Sequence, residues 1–164
     1  RWANWMFEVG HHNQATGSMD FQTGGFQGAR GENKGSDWFI ENVLEELDSP
    51  NEYFYDRGTQ RLYLFYNGTG PPPDTVEVTA PQLQILINIS GSAATPVRGL
   101  TLSGITFTGA AITYMEPHGI PSGGDWALER RAAVLLQGTE HIVVDRCTFR
   151  QLDGNALLLS GHNR

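Results

Sequence analysis

Two near-repeats in the last third of the chain constrain the fold more than any other feature of the sequence. The run Leu100-Thr-Leu-Ser-Gly-Ile-Thr-Phe107 matches Ile142-Val-Val-Asp-Arg-Cys-Thr-Phe149, and Ala132–Gly138 matches Asn155–Gly161. Small or apolar residues alternate with polar ones in the first pair of runs, which indicates β-strands with one face in a core. The second match has a period of about 23 residues, which is shorter than the helix-pair repeats of about 33 to 47 residues and fits one turn of a parallel β-helix.

The first match has a longer spacing, because Phe107 recurs only at Phe149, almost one full coil later than the shorter period requires. The excess falls in residues 114–131, which lack strand alternation and are predicted to form a loop inserted between strands. Loops of this kind collect on one face of a repeat fold, often the binding face. The expected stacking sets Leu100, Leu102, Ile105 and Phe107 over Ile142, Val144, Cys147 and Phe149.

The N-terminal part of the chain lacks the repeat and is predicted to be a separate region, residues 1–96, ahead of the β-helix region, residues 97–164. A cap at Ser36-Asp37 and apolar residues at helical spacing predict a short α-helix over 37–47. Two aromatic runs within 52–66 flank the connection Arg57-Gly-Thr-Gln60, which predicts a β-hairpin. The remainder of residues 1–96 is expected to be irregular, apart from the first strands that lead into the repeat.

Four segments carry a family resemblance: Gly24–Arg30, Phe39–Asp48, the hairpin that begins at Glu52–Asp56, and Met115–Trp126. Together they resemble secreted proteins with right-handed parallel β-helix repeats, of the pectate-lyase-like superfamily. That superfamily is related in fold to several β-helix glycoside hydrolases. The resemblance implies an all-β, right-handed parallel β-helix (solenoid) and a carbohydrate partner. It supplies no catalytic pair that matches positions of this chain, since a fold does not by itself define a reaction.

Composition excludes several other classes of function. With 39% hydrophobic and 18% charged residues the chain is expected to fold, and a net charge of −7 argues against nucleic acid and anionic membranes as partners. No apolar run approaches the roughly 18 residues that a membrane span needs. The single cysteine, Cys147, is expected to be buried and inert, and the adjacent His11 and His12 lack a third metal ligand at suitable spacing.

Two sequence triplets, Asn67-Gly-Thr69 and Asn88-Ile-Ser90, satisfy the N-glycosylation pattern and predict a secreted, extracellular glycoprotein. The first residue is Arg1, and the last strand is followed at once by the end of the sequence. The chain is therefore expected to be a fragment whose parent continues into further coils. Its other expected partners are components of the extracellular matrix.

The inserted loop concentrates the polar groups that a sugar site uses, namely carboxylates, hydrogen-bonding side chains and an aromatic platform. The carboxylates Glu116 and Asp125 are the first candidate pair for glycoside hydrolysis, which needs one protonated and one charged carboxyl group. Asp145 and Asp153, at corners beside the loop, are the alternative second member. The candidate substrate-binding residues are Tyr114, His118, Trp126, Glu129, Arg130 and Arg131.

Two other functions stay open at this stage. A polysaccharide lyase would use Arg130 or Arg131 as the base and would commonly need Ca²⁺, for which the sequence has no acidic loop of suitable spacing. Under the hydrolase interpretation no cofactor is expected. A non-enzymatic protein, in which the solenoid is a structural or adhesive rod, would use the loop only as a contact surface.

Overall fold

The computed structural model describes residues 6–24, 37–116 and 129–164, and this part of the chain is all-β. Its strands are β1 (Phe7–Asn13), β2 (Ser18–Gly24), β3 (Tyr53–Asp56), β4 (Arg61–Leu64), β5 (Ile87–Ser90), β6 (Val97–Arg98), β7 (Thr101–Ser103), β8 (Thr106–Ala110), β9 (Ala132–Gln137), β10 (Thr139–Glu140), β11 (Val143–Asp145), β12 (Thr148–Leu152) and β13 (Asn155–Ser160). Two compact units divide the chain, one of residues 1–31 with 79–164 and the other of residues 32–78.

Short parallel strand pairs dominate the larger unit. β6 pairs with β10, β7 with β11 and β8 with β12, all in parallel. Thr101 lies opposite Val143 and Phe107 lies opposite Phe149, so both pairs have the alignment that the first sequence match predicted. That register is confirmed.

β13, β9 and β5 form a three-stranded parallel sheet in that order. Ala132 lies opposite Asn155, which confirms the alignment that the second sequence match predicted. Ile87 lies opposite Val134, a spacing slightly longer than that from Phe107 to Phe149. The extra residues are accommodated between β5 and β6, where the Ser92 backbone N–H donates to the Thr95 carbonyl oxygen (3.1 Å) in a small turn.

The core of this unit lies where the apolar alternates of the parallel strands meet. Leu102, Phe107, Val134 and Leu136 are buried together. Partly buried apolar residues pack against them: Leu86, Ile87, Ile89, Ile142, Val144, Cys147, Phe149 and Leu157. Cys147, predicted to be buried, is partly buried and packs against this core. Leu100 and Ile105, also predicted to be interior, are 39% and 38% exposed.

The corners between the strands repeat with the same alignment as the strands. Three pairs of matching residues share the left-handed backbone conformation with positive φ: Gly99 and His141, Gly104 and Arg146, Gly109 and Gln151. The earlier member of each pair is glycine, and the later member carries a side chain. Since a Cβ makes this conformation unfavourable by about 1–2 kcal/mol, the later corners are strained.

Adding a side chain at an earlier corner and removing one at the matching later corner should therefore change the free energy of unfolding in opposite directions. Gly104→Ala should lower the free energy of unfolding by about 1 kcal/mol. No heavy atom lies within 4 Å of the added Cβ, so the loss would come from the backbone alone. Arg146→Gly should raise the same quantity by up to about 1 kcal/mol, because the exposed Arg146–Asp145 ion pair contributes little. Urea unfolding of both variants measures the difference, and a neutral Gly104→Ala would contradict the explanation by strain.

The α-helix predicted over residues 37–47 is wrong. The structure has only a single turn of 3₁₀-helix, Leu44–Glu46, preceded by Asn42 in a positive-φ conformation and by extended Val43. The Asn42 side chain accepts a hydrogen bond from the Tyr55 backbone N–H (3.1 Å), which competes with helical bonding. Phe39 is 80% exposed, so the predicted apolar stripe is not buried there. A helix of this length is only marginally stable without such burial.

The predicted hairpin of the smaller unit is confirmed. β3 and β4 pair antiparallel around a turn at residues 57–60. The Thr59 hydroxyl donates to the Asp56 carboxylate (2.6 Å), and this hydrogen bond lowers the pKa of Asp56. A second hairpin, β1 with β2, lies in a stretch expected to be irregular. The Asn13 side chain organises its turn by accepting hydrogen bonds from the backbone of Ala15 and Thr16.

Candidate functional site

The inserted loop leaves the sheets after β8 and returns at β9. The structure describes residues 114–116 and 129–131 at its two ends, and both are non-strand as predicted. Residues 117–128 lie outside the described residues, and with them the candidates His118, Asp125 and Trp126. The candidates that can be placed in this loop are Tyr114, Glu116, Glu129, Arg130 and Arg131.

Backbone hydrogen bonds carry the strand register into the beginning of the loop. The Ala111 N–H donates to the Leu83 carbonyl oxygen (2.9 Å), and the Thr113 N–H donates to the Asp153 carbonyl oxygen (3.0 Å). The Asp153 N–H in turn donates to the Ala110 carbonyl oxygen (3.2 Å). Asp153 therefore lies at the base of the loop, where the sequence predicted it, and its side chain is exposed.

A polar cluster joins the two ends of the loop. We call it the Gln84 cluster, and its members are Gln84, Glu116, Glu129, Arg131 and Asn155. The Gln84 amide nitrogen Nε2 donates to the Ile112 carbonyl oxygen and to Glu116 Oε1, both at 2.9 Å. Arg131 Nη1 donates to Gln84 Oε1, and Arg131 Nη2 lies 3.9 Å from Glu116 Oε2. One amide thus bridges a carboxylate and a guanidinium group from opposite ends of the loop.

The returning end of the loop is held by the rest of the cluster. The Arg131 backbone N–H donates to Glu129 Oε1 (3.0 Å). The Asn155 amide nitrogen donates to the carbonyl oxygens of Glu129 (3.3 Å) and Arg131 (3.2 Å). These bonds position the Arg131 side chain beside Gln84. The strand register explains the neighbourhood, since the alignment that pairs Ile87 with Val134 also brings Gln84 level with Arg131.

The cluster is open to solvent on one side. The side chains of Glu116 and Arg131 are 37% and 47% exposed, and Tyr114 and Arg130 are accessible on the adjoining ends of the loop. A carboxylate, an amide and a guanidinium group at the surface can bind the hydroxyl groups of a sugar, with Tyr114 available for stacking.

Thr113 lies beneath this surface and is only 2% exposed. Its hydroxyl has no hydrogen-bond partner within residues 6–24, 37–116 and 129–164. Gly154 faces this hydroxyl so closely that a Cβ at Gly154 would collide with it. The sequence does not point to Gln84 and Asn155, because only the strand register brings them to the loop. It does not point to Thr113 either, whose burial becomes apparent only in the structure.

Asp145 lies at another corner of the unit. Its carboxylate accepts hydrogen bonds from Arg146 Nε (2.9 Å) and from the Ser103 hydroxyl (3.1 Å), which joins the ends of β11 and β7. The Asp145 carboxylate thus contacts Arg146 and Ser103, which are not members of the Gln84 cluster. A comparable ion pair joins β6 to β10, where a hydrogen bond from Arg98 Nε (2.6 Å) lowers the pKa of Glu140.

Comparisons with protein-family models, with curated proteins and with solved structures find no match. In the described ranges, no three His, Cys, Asp or Glu side chains are grouped as metal ligands would be. The same ranges contain no helix with the length and apolar character needed to cross a membrane.

Proposed function

We propose that β5 to β13 form successive coils of a right-handed parallel β-helix. Three features support this proposal: parallel pairing in the two alignments that the sequence repeats predict, a shared apolar core, and corners of the same handedness at matching positions. Parallel strands joined by crossovers are right-handed in nearly all proteins. In this arrangement the inserted loop projects from one corner, with the Gln84 cluster at its base.

We further propose that the protein is a secreted carbohydrate-active protein, with hydrolysis of a polysaccharide or glycoside as its activity. The observation that carries this proposal is the meeting of Glu116, Gln84 and Arg131 on an open surface at the base of the loop. Glu116 is assigned the role of nucleophile or general base. The general acid is assigned to Glu129, a described carboxyl group at the returning end of the loop, or to Asp125 or Asp153.

Loss of the Glu116 carboxylate should abolish the activity. The protein would be incubated with a panel of plant and algal polysaccharides, and the release of reducing sugar would be measured. Glu116→Gln should reduce the rate by about 10²-fold or more, because a positioned acid or base contributes about 10²–10⁴-fold. Glu140→Gln is the matched control, since it also removes a carboxylate paired with an arginine but lies on β10. A lack of release across the panel, or equal rates for both variants, would refute the hydrolase assignment.

The alternative is a non-enzymatic structural or adhesive protein, and one observation favours it. Both Glu116 oxygen atoms face protein groups, Oε1 the Gln84 amide and Oε2 the Arg131 guanidinium group. The Gln84 cluster would then serve to close the loop. On this alternative, Glu116→Gln lowers the thermal midpoint and no polysaccharide is cleaved. A lyase ranks below both, because Arg131, one of its two candidate bases, already donates to Gln84.

Secretion is part of the proposal and predicts glycosylation at two exposed asparagines. Asn67 lies in a bend after β4, whereas Asn88 lies within β5 and accepts a hydrogen bond from the Ser90 hydroxyl. We expect fuller modification at Asn67 than at Asn88, because attachment favours accessible loops. Expression in a eukaryotic secretory system, followed by mass spectrometry of Asn67→Gln and Asn88→Gln variants, measures both occupancies. An unmodified protein at both sites would contradict the prediction.

A further inference from the structure

The net negative charge of the protein comes entirely from one of its two units. Residues 32–78 contain ten carboxylate side chains and three basic side chains, a net charge of −7. The rest of the chain contains eight of each and is neutral. A unit of this size with so uneven a charge creates a negative potential that attracts cationic partners.

The same unit has an apolar sheet face without a cover among the described residues. The cross-strand pairs Tyr53 with Leu64 and Tyr55 with Leu62 place four large side chains on one face of the hairpin of β3 and β4. All four are exposed, and Tyr53 is 66% exposed. The opposite face is partly closed by Phe54, whose ring lies 6.0 Å from that of Tyr63. An isolated two-stranded hairpin is only marginally stable, so a partner on the apolar face would stabilise it.

Acidic residues lie in the segment that precedes β3. The Tyr55 backbone N–H donates to the Asn42 side chain, which ties the segment that contains Glu45 and Glu46 to the edge of β3. Glu52 directly precedes β3, and its carboxylate accepts hydrogen bonds from the backbone of Asp48 (3.1 Å) and Ser49 (2.9 Å). The segment that precedes β3 is thus acidic and is held against this strand by the Asn42–Tyr55 hydrogen bond. An apolar centre with charged surroundings is common in protein interfaces.

We propose that this face, defined by Tyr53, Tyr55, Leu62 and Leu64, docks a basic polypeptide segment that carries apolar side chains. Charge complementarity selects this occupant. A second copy of the same face would bring two units of charge −7 together, and nucleic acid or an anionic membrane would be repelled. The apolar side chains of the partner would cover the four residues, and its lysine or arginine residues would pair with carboxylates of residues 32–78.

Binding of three synthetic peptides to the full chain tests the proposal. One alternates lysine and leucine, one alternates lysine and serine, and one alternates glutamate and leucine. We expect the lysine–leucine peptide to bind at least about tenfold more tightly than either of the others, because only it supplies both charge and apolar surface. Raising NaCl from about 0.05 M to about 0.5 M should weaken its binding about tenfold or more.

Substitutions locate the binding on the chain. Tyr53→Ser with Leu64→Ser should weaken lysine–leucine binding at least about tenfold, since both side chains belong to the face. Glu45→Gln with Glu46→Gln should reduce its salt dependence without touching either strand. Val143→Ser, at a residue 49% exposed in the other unit, is the matched control and should leave binding unchanged.

Four outcomes would overturn the proposal. Equally tight binding of the lysine–serine and lysine–leucine peptides would show that charge alone accounts for the binding. Unchanged binding by the Tyr53→Ser/Leu64→Ser and Glu45→Gln/Glu46→Gln variants would place the peptide elsewhere. Dimerisation of the free chain that the first double variant abolishes, or binding of a neutral oligosaccharide at this face instead of the peptide, would assign another occupant.

Discussion

Replacement of Phe107 by alanine is expected to lower the free energy of unfolding of the larger unit by about 3–5 kcal/mol. Phe107 is only 4% exposed and belongs to the buried cluster with Leu102, Val134 and Leu136. Its ring stacks on that of Phe149, with centroids 4.9 Å apart and an interplanar angle of 22°. Alanine would remove this stacking and leave a cavity in the buried apolar cluster of the described residues.

Native-state hydrogen exchange of the β9 and β12 backbone amides is the suitable measurement, because it reports on this unit without interference from residues 32–78. Ile105→Ala is the matched control: Ile105 is close to Phe107 in the chain and 38% exposed. It should cost about 1 kcal/mol or less. Phe107→Leu, which keeps most of the volume, should fall between the two. Equal losses for Phe107→Ala and Ile105→Ala would show that the core lies elsewhere.

The register of the parallel strands could be predicted from the sequence because several kinds of residue repeat together. Apolar alternates recur at Leu102 and Val144 and at Phe107 and Phe149, and these residues lie opposite one another. Glycine ends the other repeat at Gly138 and Gly161, both with positive φ. At Gly138 an added Cβ would lie 2.6 Å from the Gly91 carbonyl oxygen, so close backbone approach selects glycine there.

Burial could not be predicted with the same accuracy as register. Leu100 and Ile105 follow the alternation, yet they are exposed, whereas Leu102 and Phe107 are buried. Leu102 and Phe107 lie within β7 and β8, whereas Leu100 and Ile105 lie in the connections just before these strands. A pattern of alternation does not show where a strand begins, so it does not separate the two cases.

The failed helix prediction has a related cause. Apolar spacing in residues 37–47 is helical, but spacing supports a helix only when the apolar stripe has a surface to pack against. Asn42 instead uses its side chain to satisfy the Tyr55 N–H, a contact across the chain that local propensity does not reveal. The hairpin of β1 and β2 was missed because glycine-rich flanks and adjacent histidines resemble a loop.

For the candidate site, local composition identified the loop but not the residues that hold it. Glu116, Glu129 and Arg131 were predicted from the density of polar groups, and they meet in the Gln84 cluster. Gln84 and Asn155 were not predicted, because each lies far along the chain and reaches the loop through the strand register. Long-range register therefore had to be known before the set of candidate residues could be complete.

Replacement of Asn163 by alanine is expected to be the most damaging polar substitution, with a loss of about 2–4 kcal/mol from the free energy of unfolding. The Asn163 side-chain oxygen Oδ1 accepts hydrogen bonds from the Thr139 N–H (3.0 Å) and the Thr139 hydroxyl (2.8 Å). Its nitrogen donates to the carbonyl oxygens of Ser160 (2.8 Å) and Leu136 (3.4 Å). Thr139 is only 3% exposed, so water cannot readily replace the lost acceptor.

Hydrogen exchange of the β9 and β13 amides would measure this loss, with His162→Ala as the control because His162 is the exposed neighbour of Asn163. Asn163→Asp separates the two halves of the network. Aspartate keeps the acceptor for Thr139 but brings a second carboxylate oxygen against the carbonyl groups of Ser160 and Leu136, so its cost should be intermediate. If Asn163→Ala cost no more than His162→Ala, the four hydrogen bonds would be replaceable by solvent. The turn between β13 and the end of the chain would then not contribute to the stability of the parallel strands.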